Sequence, residues 1–316
     1  MATSGSIDWN MTGTEIVQAA VSIVNERSSE IPLTNNEISD GLNVANRLLK
    51  HWQTKFHLWK RDEGVLFLRN GVTNYTIGAS SGNDQACLLD DFINTTITTA
   101  AVLGASTLVV GSTTGMVAAD FIGIELDDGT RQWTTIVSVD SATGLTITAT
   151  LTAASAVGRT VFTYTTALER PLRVESVRRR IITNATEVEL THWSRQQYFA
   201  QNNKNSSGTP TSYFYSPRLG KGRFYLWQTA STVNQLLYLT FNRTMEDFDT
   251  SSNNPDLPQE WLDPFVWALA EEIALEYQCP LDKFQLIKLK AAEKLDDALG
   301  WDEEEVSLNI RPNFRG

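Results

Sequence analysis

Apolar residues return at helical spacing near both ends of the chain and at strand-like spacing between them. Thr12 and Glu15 have capping-box spacing, in which each side chain satisfies an orphan amide of the other's backbone. Ile16, Val17, Ala20, Val21 and Val24 follow as one helical stripe. Pro32 breaks the run, and Thr34 with Glu37 opens a second helix, whose stripe is Ile38, Leu42, Ala45, Leu49, Trp52 and Phe56. Towards the other end, Leu262, Phe265, Val266, Leu269, Ile273 and Tyr277 form a third stripe behind Pro258. After Pro280 comes a fourth, of Phe284, Ile287, Ala291, Leu295, Ala298 and Leu299, with Gly300 as its stop. Each pair reads as an antiparallel hairpin. A hairpin with one apolar stripe cannot bury it alone, so the two are expected to pack together as a four-helix unit.

From about Gly64 the period changes. Val65, Phe67, Val72, Tyr75 and Ile77 suit strands, with Arg69, Asn70 and Gly71 as the turn between them. Residues 80–84 read as a loop. Over 95–166 threonine, valine, isoleucine and alanine dominate, lysine is absent, and glycine-bearing turns recur between short strand candidates at 108–110, 121–124, 133–139 and 145–151. That is the pattern of an inserted small β-barrel or sandwich. Further strands are expected at 172–182, 187–190, 211–215, 223–228 and 235–241, with polar loop 202–208 and a linker over 245–257. The fold class is therefore α+β. Its domains are a helical bundle (1–63 and 255–300), a β-rich region (64–94 and 167–254), the insert (95–166) and an extended tail (301–316). In that tail Val306, Leu308, Ile310, Pro312 and Phe314 alternate at period two, which suits either a docked strand or a disordered end.

Composition adds limits. Hydrophobic residues at 41% supply a core, and a net charge of −11 argues against a free nucleic-acid binder but not against a wall past which DNA slides. Cys87 and Cys279 form no disulfide framework. No basic leader or long apolar run is read, so a soluble protein made in a reducing cytoplasm, with no membrane partner, is expected. His51, His57 and His192 have no catalytic spacing, and no phosphate loop or nucleophile elbow appears. Asp247, Asp249, Ser251 and Asn253 alternate like the start of a calcium loop, but Ser252 and Pro258 stand where glycine and the bidentate glutamate belong. The acidic pairs Asp90–Asp91 and Asp127–Asp128, and the run 303–305, suit solvated turns. No enzyme, cofactor or metal is expected. Arg170, Arg173, Arg178, Arg179 and Arg180 form one basic cluster that could meet phosphate or acidic neighbours in an oligomer; the acidic setting favours the second, making Arg173, Arg178, Arg179 and Arg180 candidate subunit-interface residues. Aromatic residues crowd 213–215 and 224–227. Stacking on single-stranded nucleic acid or sugar is open to them, although strands covered on both faces explain them more simply.

Several phrases resemble one protein family. Arg170-Pro-Leu-Arg-Val-Glu-Ser-Val-Arg-Arg, Thr209-Pro-Thr-Ser-Tyr, Phe241-Asn-Arg-Thr-Met-Glu-Asp-Phe-Asp and Pro258-Gln-Glu-Trp-Leu-Asp-Pro-Phe-Val-Trp-Ala-Leu-Ala are similar to the packaged-DNA stabilisation or tail accessory proteins, the head-to-tail adaptors of P22-like podophages. The resemblance implies a homo-oligomeric ring, a dodecamer, in the tail or neck of the virion, assembled in the host cytoplasm. It implies the portal protein and a tail nozzle or tube protein as partners, with packaged double-stranded DNA passing through the lumen without sequence-specific binding. Val306, Leu308, Ile310, Pro312 and Phe314 would then be portal-binding. A virion-associated peptidoglycan hydrolase and a carbohydrate-binding tail module are the competing readings.

Overall fold

The computed structural model describes residues 5, 7–25, 32–55, 58–78, 85–183 and 185–302. Phe56, His57, the 80–84 loop, the 303–305 acidic run and the alternating tail lie outside them. Among the described residues the helices are α1 (Gly13–Val24), α2 (Asn35–Gln53), α3 (Arg195–Ala200), α4 (Leu262–Glu276) and α5 (Leu281–Trp301). The chain divides into two compact units, one of Met1–Lys60 with Met245–Gly316 and one of Arg61–Thr244.

In the first unit, helices from both ends of the chain share one core. Both expected capping boxes are present: Thr12 N–H donates to Glu15 Oε2 at 2.8 Å, and Thr34 N–H to Glu37 Oε2 at 2.7 Å. α1 buries the expected stripe. α2 buries Gly41, Val44, Ala45, Leu48, Leu49 and Trp52, so Ala45, Leu49 and Trp52 of the expected stripe are in the core, Leu42 packs against it half-buried, and Gly41, Val44 and Leu48 widen the face. At Gly41 the helices approach closely: a Cβ there would lie 2.4 Å from Val17 Cγ1, so only glycine lets them meet. Trp52 packs edge-on against Trp261 (centroids 5.6 Å) and Phe265 (5.4 Å). Buried Lys60 donates to the Gln53 carbonyl at 2.9 Å, a cation at the carbonyl end of α2.

Residues 245–257 are not a free linker. Met245 and Phe248 are buried in the helical core. Asn46 Nδ2 donates to the Phe248 carbonyl (3.1 Å), and Phe248 N–H donates back to Asn46 Oδ1 (2.9 Å). Gly13 and Thr14, at the N-terminus of α1, donate their N–H groups to the carbonyls of Asn253 and Ser251, both at 2.9 Å. The segment is a strap, because two apolar side chains anchor an otherwise polar stretch and its carbonyls satisfy orphan helix amides.

In the second unit the strands are β1 (Arg61–Phe67), β2 (Asn74–Ile77), β3 (Ala86–Leu88), β4 (Phe92–Thr99), β5 (Thr107–Val110), β6 (Phe121–Glu125), β7 (Arg131–Val139), β8 (Gly144–Ile147) and β9 (Thr160–Tyr164). They continue with β10 (Arg173–Ile181), β11 (Glu187–Glu189), β12 (Thr191–His192), β13 (Ser207–Gly208), β14 (Ser212–Pro217), β15 (Gly222–Trp227), β16 (Thr229–Ala230) and β17 (Gln235–Asn242). A five-stranded sheet, β11-β10-β17-β1-β3, and a four-stranded sheet, β12-β14-β15-β2, share one core. β1 and β2 are therefore not a hairpin, although the chain does turn at Gly71 with φ +72°. β1 instead pairs with β17 and β3, and β2 with β15.

β4 to β9 close into a six-stranded barrel, order β4-β5-β8-β7-β6-β9. The inserted element is thus a barrel, and its strands begin at Phe92, just before the expected boundary. Its foot is aromatic. Phe92, Phe121, Trp133, Phe162 and Tyr164 pack with Val65, Phe67, Leu236 and Tyr238 of the five-stranded sheet. β1 and β17 consequently have both faces covered, which explains the consecutive apolar residues 65–67 of β1 and 236–239 of β17.

Candidate interaction surfaces

β10 sets the arginines by strand alternation, with Arg178 and Arg180 on one face and Arg179 on the other. Arg178 donates to Glu63 of β1 at 2.6 Å and to Glu187 of β11 at 3.4 Å. Arg180 donates to Glu187 at 2.9 Å and lies over the Tyr238 ring at 5.3 Å. The acidic neighbours of these two arginines are thus inside the chain. Arg179 is half-buried; desolvation pulls its guanidinium below the usual range, and its Nε has no hydrogen-bond partner among the described residues. Arg173 is exposed at the strand's start. It lines a cleft of about 220 Å³ with Glu175, His192, Tyr215 and Pro217. The four arginines do not form one patch, because pleating and pairing send them to different neighbours. The candidate portal-binding residues Val306, Leu308, Ile310, Pro312 and Phe314 lie outside the described residues.

A surface that the apolar periodicity did not single out lies on the last helices. α5 buries Ile287, Ala291 and Ala298, with Phe284 and Leu295 half-buried. It also carries Leu286 (58% exposed), Leu289 (64%) and Trp301 (89%), and α4 adds Leu275 (70%). Leu286 and Leu289 are one turn apart and share a face. The signal was present in the sequence as leucines between the members of the buried stripe.

The acidic sites are absorbed by structure. Lys50 pairs with Asp247, and the Ser251 and Asn253 carbonyls accept from α1. Asp128 accepts from Thr130 N–H at 2.9 Å and Asp127 from Arg159 Nε at 2.8 Å. Among the described residues no three His, Cys, Asp or Glu side chains gather as a metal site. Cys87 is buried, which drives its thiol far above the usual range, and Cys279 is also free. No helix among the described residues is long and apolar enough to cross a membrane.

The crowded aromatics divide by face. Tyr213, Tyr215 and Phe224 point into the shared core, with Tyr213 stacked on Phe224 at 5.5 Å. Phe214 and Tyr225 stack at 5.5 Å on the opposite face, where α3 covers them with Tyr198 and Phe199. α3 starts at a third capping box, Ser194 with Gln197, whose spacing is plain in the sequence.

No family model matches the chain, and no curated protein matches it. Two solved structures align weakly. VP17, a capsid protein of bacteriophage P23-77, is 10% identical over 62% of this chain and 77% of its own, with a TM-score of 0.12. The VP16–VP17 complex of the two major capsid proteins of that phage gives 11% identity, 62% and 80% coverage, and a TM-score of 0.12. Similarity at that level establishes neither fold nor function.

Proposed function

We propose that this chain is a structural subunit of a tailed-phage virion and not an enzyme. It is a head-to-tail adaptor that assembles as a ring, a dodecamer, beneath the portal. The ring extends the DNA channel, helps retain the packaged genome and receives the tail nozzle, while residues 302–316 dock on the portal. The observation that carries this reading is the second apolar stripe of α5. Leu286, Leu289 and Trp301 with Leu275 leave apolar surface in water on helices whose other face is already packed. Leu286 and Leu289, one turn apart on one face, leave exposed apolar surface of the kind that marks a partner site. The adaptor resemblance of the phrases on β10, β14, the strap and α4 supports the same reading.

The test is assembly of the purified full-length chain on its cognate portal, followed by native mass spectrometry. Wild type is expected to form a ring. Leu286→Asp with Leu289→Asp should abolish the ring while leaving the circular dichroism spectrum unchanged, and removal of 302–316 should abolish portal binding. A full-length chain that neither self-associates nor binds portal would discard the adaptor reading.

A further inference from the structure

Residues 190–245 carry six cationic side chains, Arg195, Lys204, Arg218, Lys221, Arg223 and Arg243, and no carboxylate, in a chain of net charge −11. Four of them converge on the outer face of the four-stranded sheet. Arg195 lies over the Phe199 ring at 5.1 Å and Lys204 over the same ring at 5.9 Å. Arg218 donates to the Tyr225 hydroxyl at 3.2 Å. Arg223 shares the face of Tyr225 by strand alternation and donates to Asn74 Oδ1 at 2.6 Å. Lys204 also donates to the Gln201 carbonyl at 3.0 Å. Every acceptor is neutral. None of these four cations has a carboxylate partner among the described residues, whereas Arg178, Arg180 and Arg159 are each matched by glutamate or aspartate.

We infer that this face binds the phosphate backbone of double-stranded DNA. A protein surface presents both signs of charge, so a face of cations alone fits a partner of one sign. The rings are not free to receive bases. Phe199 is taken by two cations, and Trp227 is stacked on Trp193 at 5.2 Å. A guanidinium held over a ring or on a phenol is already positioned, and its remaining N–H groups suit phosphate oxygens. The contact carries no base readout, so it is blind to sequence. The net charge of −11 argued against a free nucleic-acid binder, but charge is local and this face is cationic, so the contact is testable on the free chain; the adaptor reading supplies only the source of the DNA.

The experiment is fluorescence anisotropy of the full chain against a short labelled duplex of mixed sequence, titrated with salt. Four phosphate contacts give a slope of log affinity on log salt of about −3.6, so raising salt from about 50 to 200 mM weakens binding roughly 100-fold. Arg195→Gln with Arg218→Gln should halve the slope and reduce that loss to roughly 10-fold. Lys290→Gln, on α5, should leave the slope unchanged. The salt slope of the wild type tests the inference even if the double variant misfolds. Absent or salt-independent binding overturns the inference while leaving ring assembly on the portal untouched. Tighter binding to single strands than to duplex overturns it in favour of base stacking. Equal binding to polyglutamate overturns it in favour of an acidic protein partner.

Discussion

Glu125 lies only 5% exposed at the end of β6, and its carboxylate is held from both oxygens. Thr160 donates N–H and hydroxyl to Oε2 at 3.1 and 2.7 Å, and Arg159 donates to Oε1 at 3.0 Å. Burial alone would raise this carboxyl, but the Thr160 and Arg159 hydrogen bonds outweigh it and hold the group below the usual carboxylate range. Beside it, Arg131 is buried over the Phe162 ring at 4.5 Å and donates to Thr160 Oγ1 at 2.7 Å and to the Val233 carbonyl at 3.1 Å. Burial lowers this guanidinium to about 10 against the pull of Glu125. A lowered carboxyl contributes stability above its unfolded titration, and that stability is lost as pH falls through the folded one. Glu125→Gln is therefore expected to cost about 2 kcal/mol at neutral pH. In urea melts the difference from wild type should vanish as pH falls below the ordinary glutamate value of 4.5. A constant difference across that range would show that the charge is irrelevant. No spacing in the sequence pairs Glu125 with Arg159; that pairing follows from barrel closure.

At the scale of elements, local rules and tertiary packing separate cleanly. The capping boxes at Thr12 and Thr34 form from residues three apart, so their geometry is fixed within one turn. The strap at 245–257 is the opposite case. Its polar letters favour turns, yet Phe248 is 6% exposed among helices from both chain ends. Phe248→Ala is expected to cost about 3–5 kcal/mol, as aromatic truncation in a packed core does. Chemical denaturation would read this directly, and a change below about 1 kcal/mol would mean that the strap is not anchored there. The burial of Gly41 on α2 has the same origin, because that glycine matters only once Val17 arrives against it.

For the whole molecule, the first unit draws on residues up to 60 and from 245 onward, while the second is continuous over Arg61–Thr244. The continuous unit contains its own three apolar clusters. A fragment of residues 61–244 is therefore expected to fold alone, with a cooperative thermal transition and a β-type circular dichroism spectrum. Residues 1–60 alone should not fold, because the rest of their core arrives with α4 and the strap. A fragment 61–244 without a cooperative transition would contradict the division.

The sequence by itself determined what depends on period and neighbours: helices at both ends, strands between them, the capping boxes at Thr12 and Thr34 and a threonine-rich insert of short strands. Only tertiary structure decided which strands pair, that the insert closes into a barrel, that β1 and β17 are covered twice, and where each charge finds its partner. The physical reason is range. Capping and amphipathicity act over a few residues, whereas Gly64 meets Leu239 and Arg178 meets Glu63 only when distant segments are brought to one sheet. The arginines of β10 show the limit best. Their alternation was legible, but the glutamates that Arg178 and Arg180 meet are ones that only the sheet brings alongside.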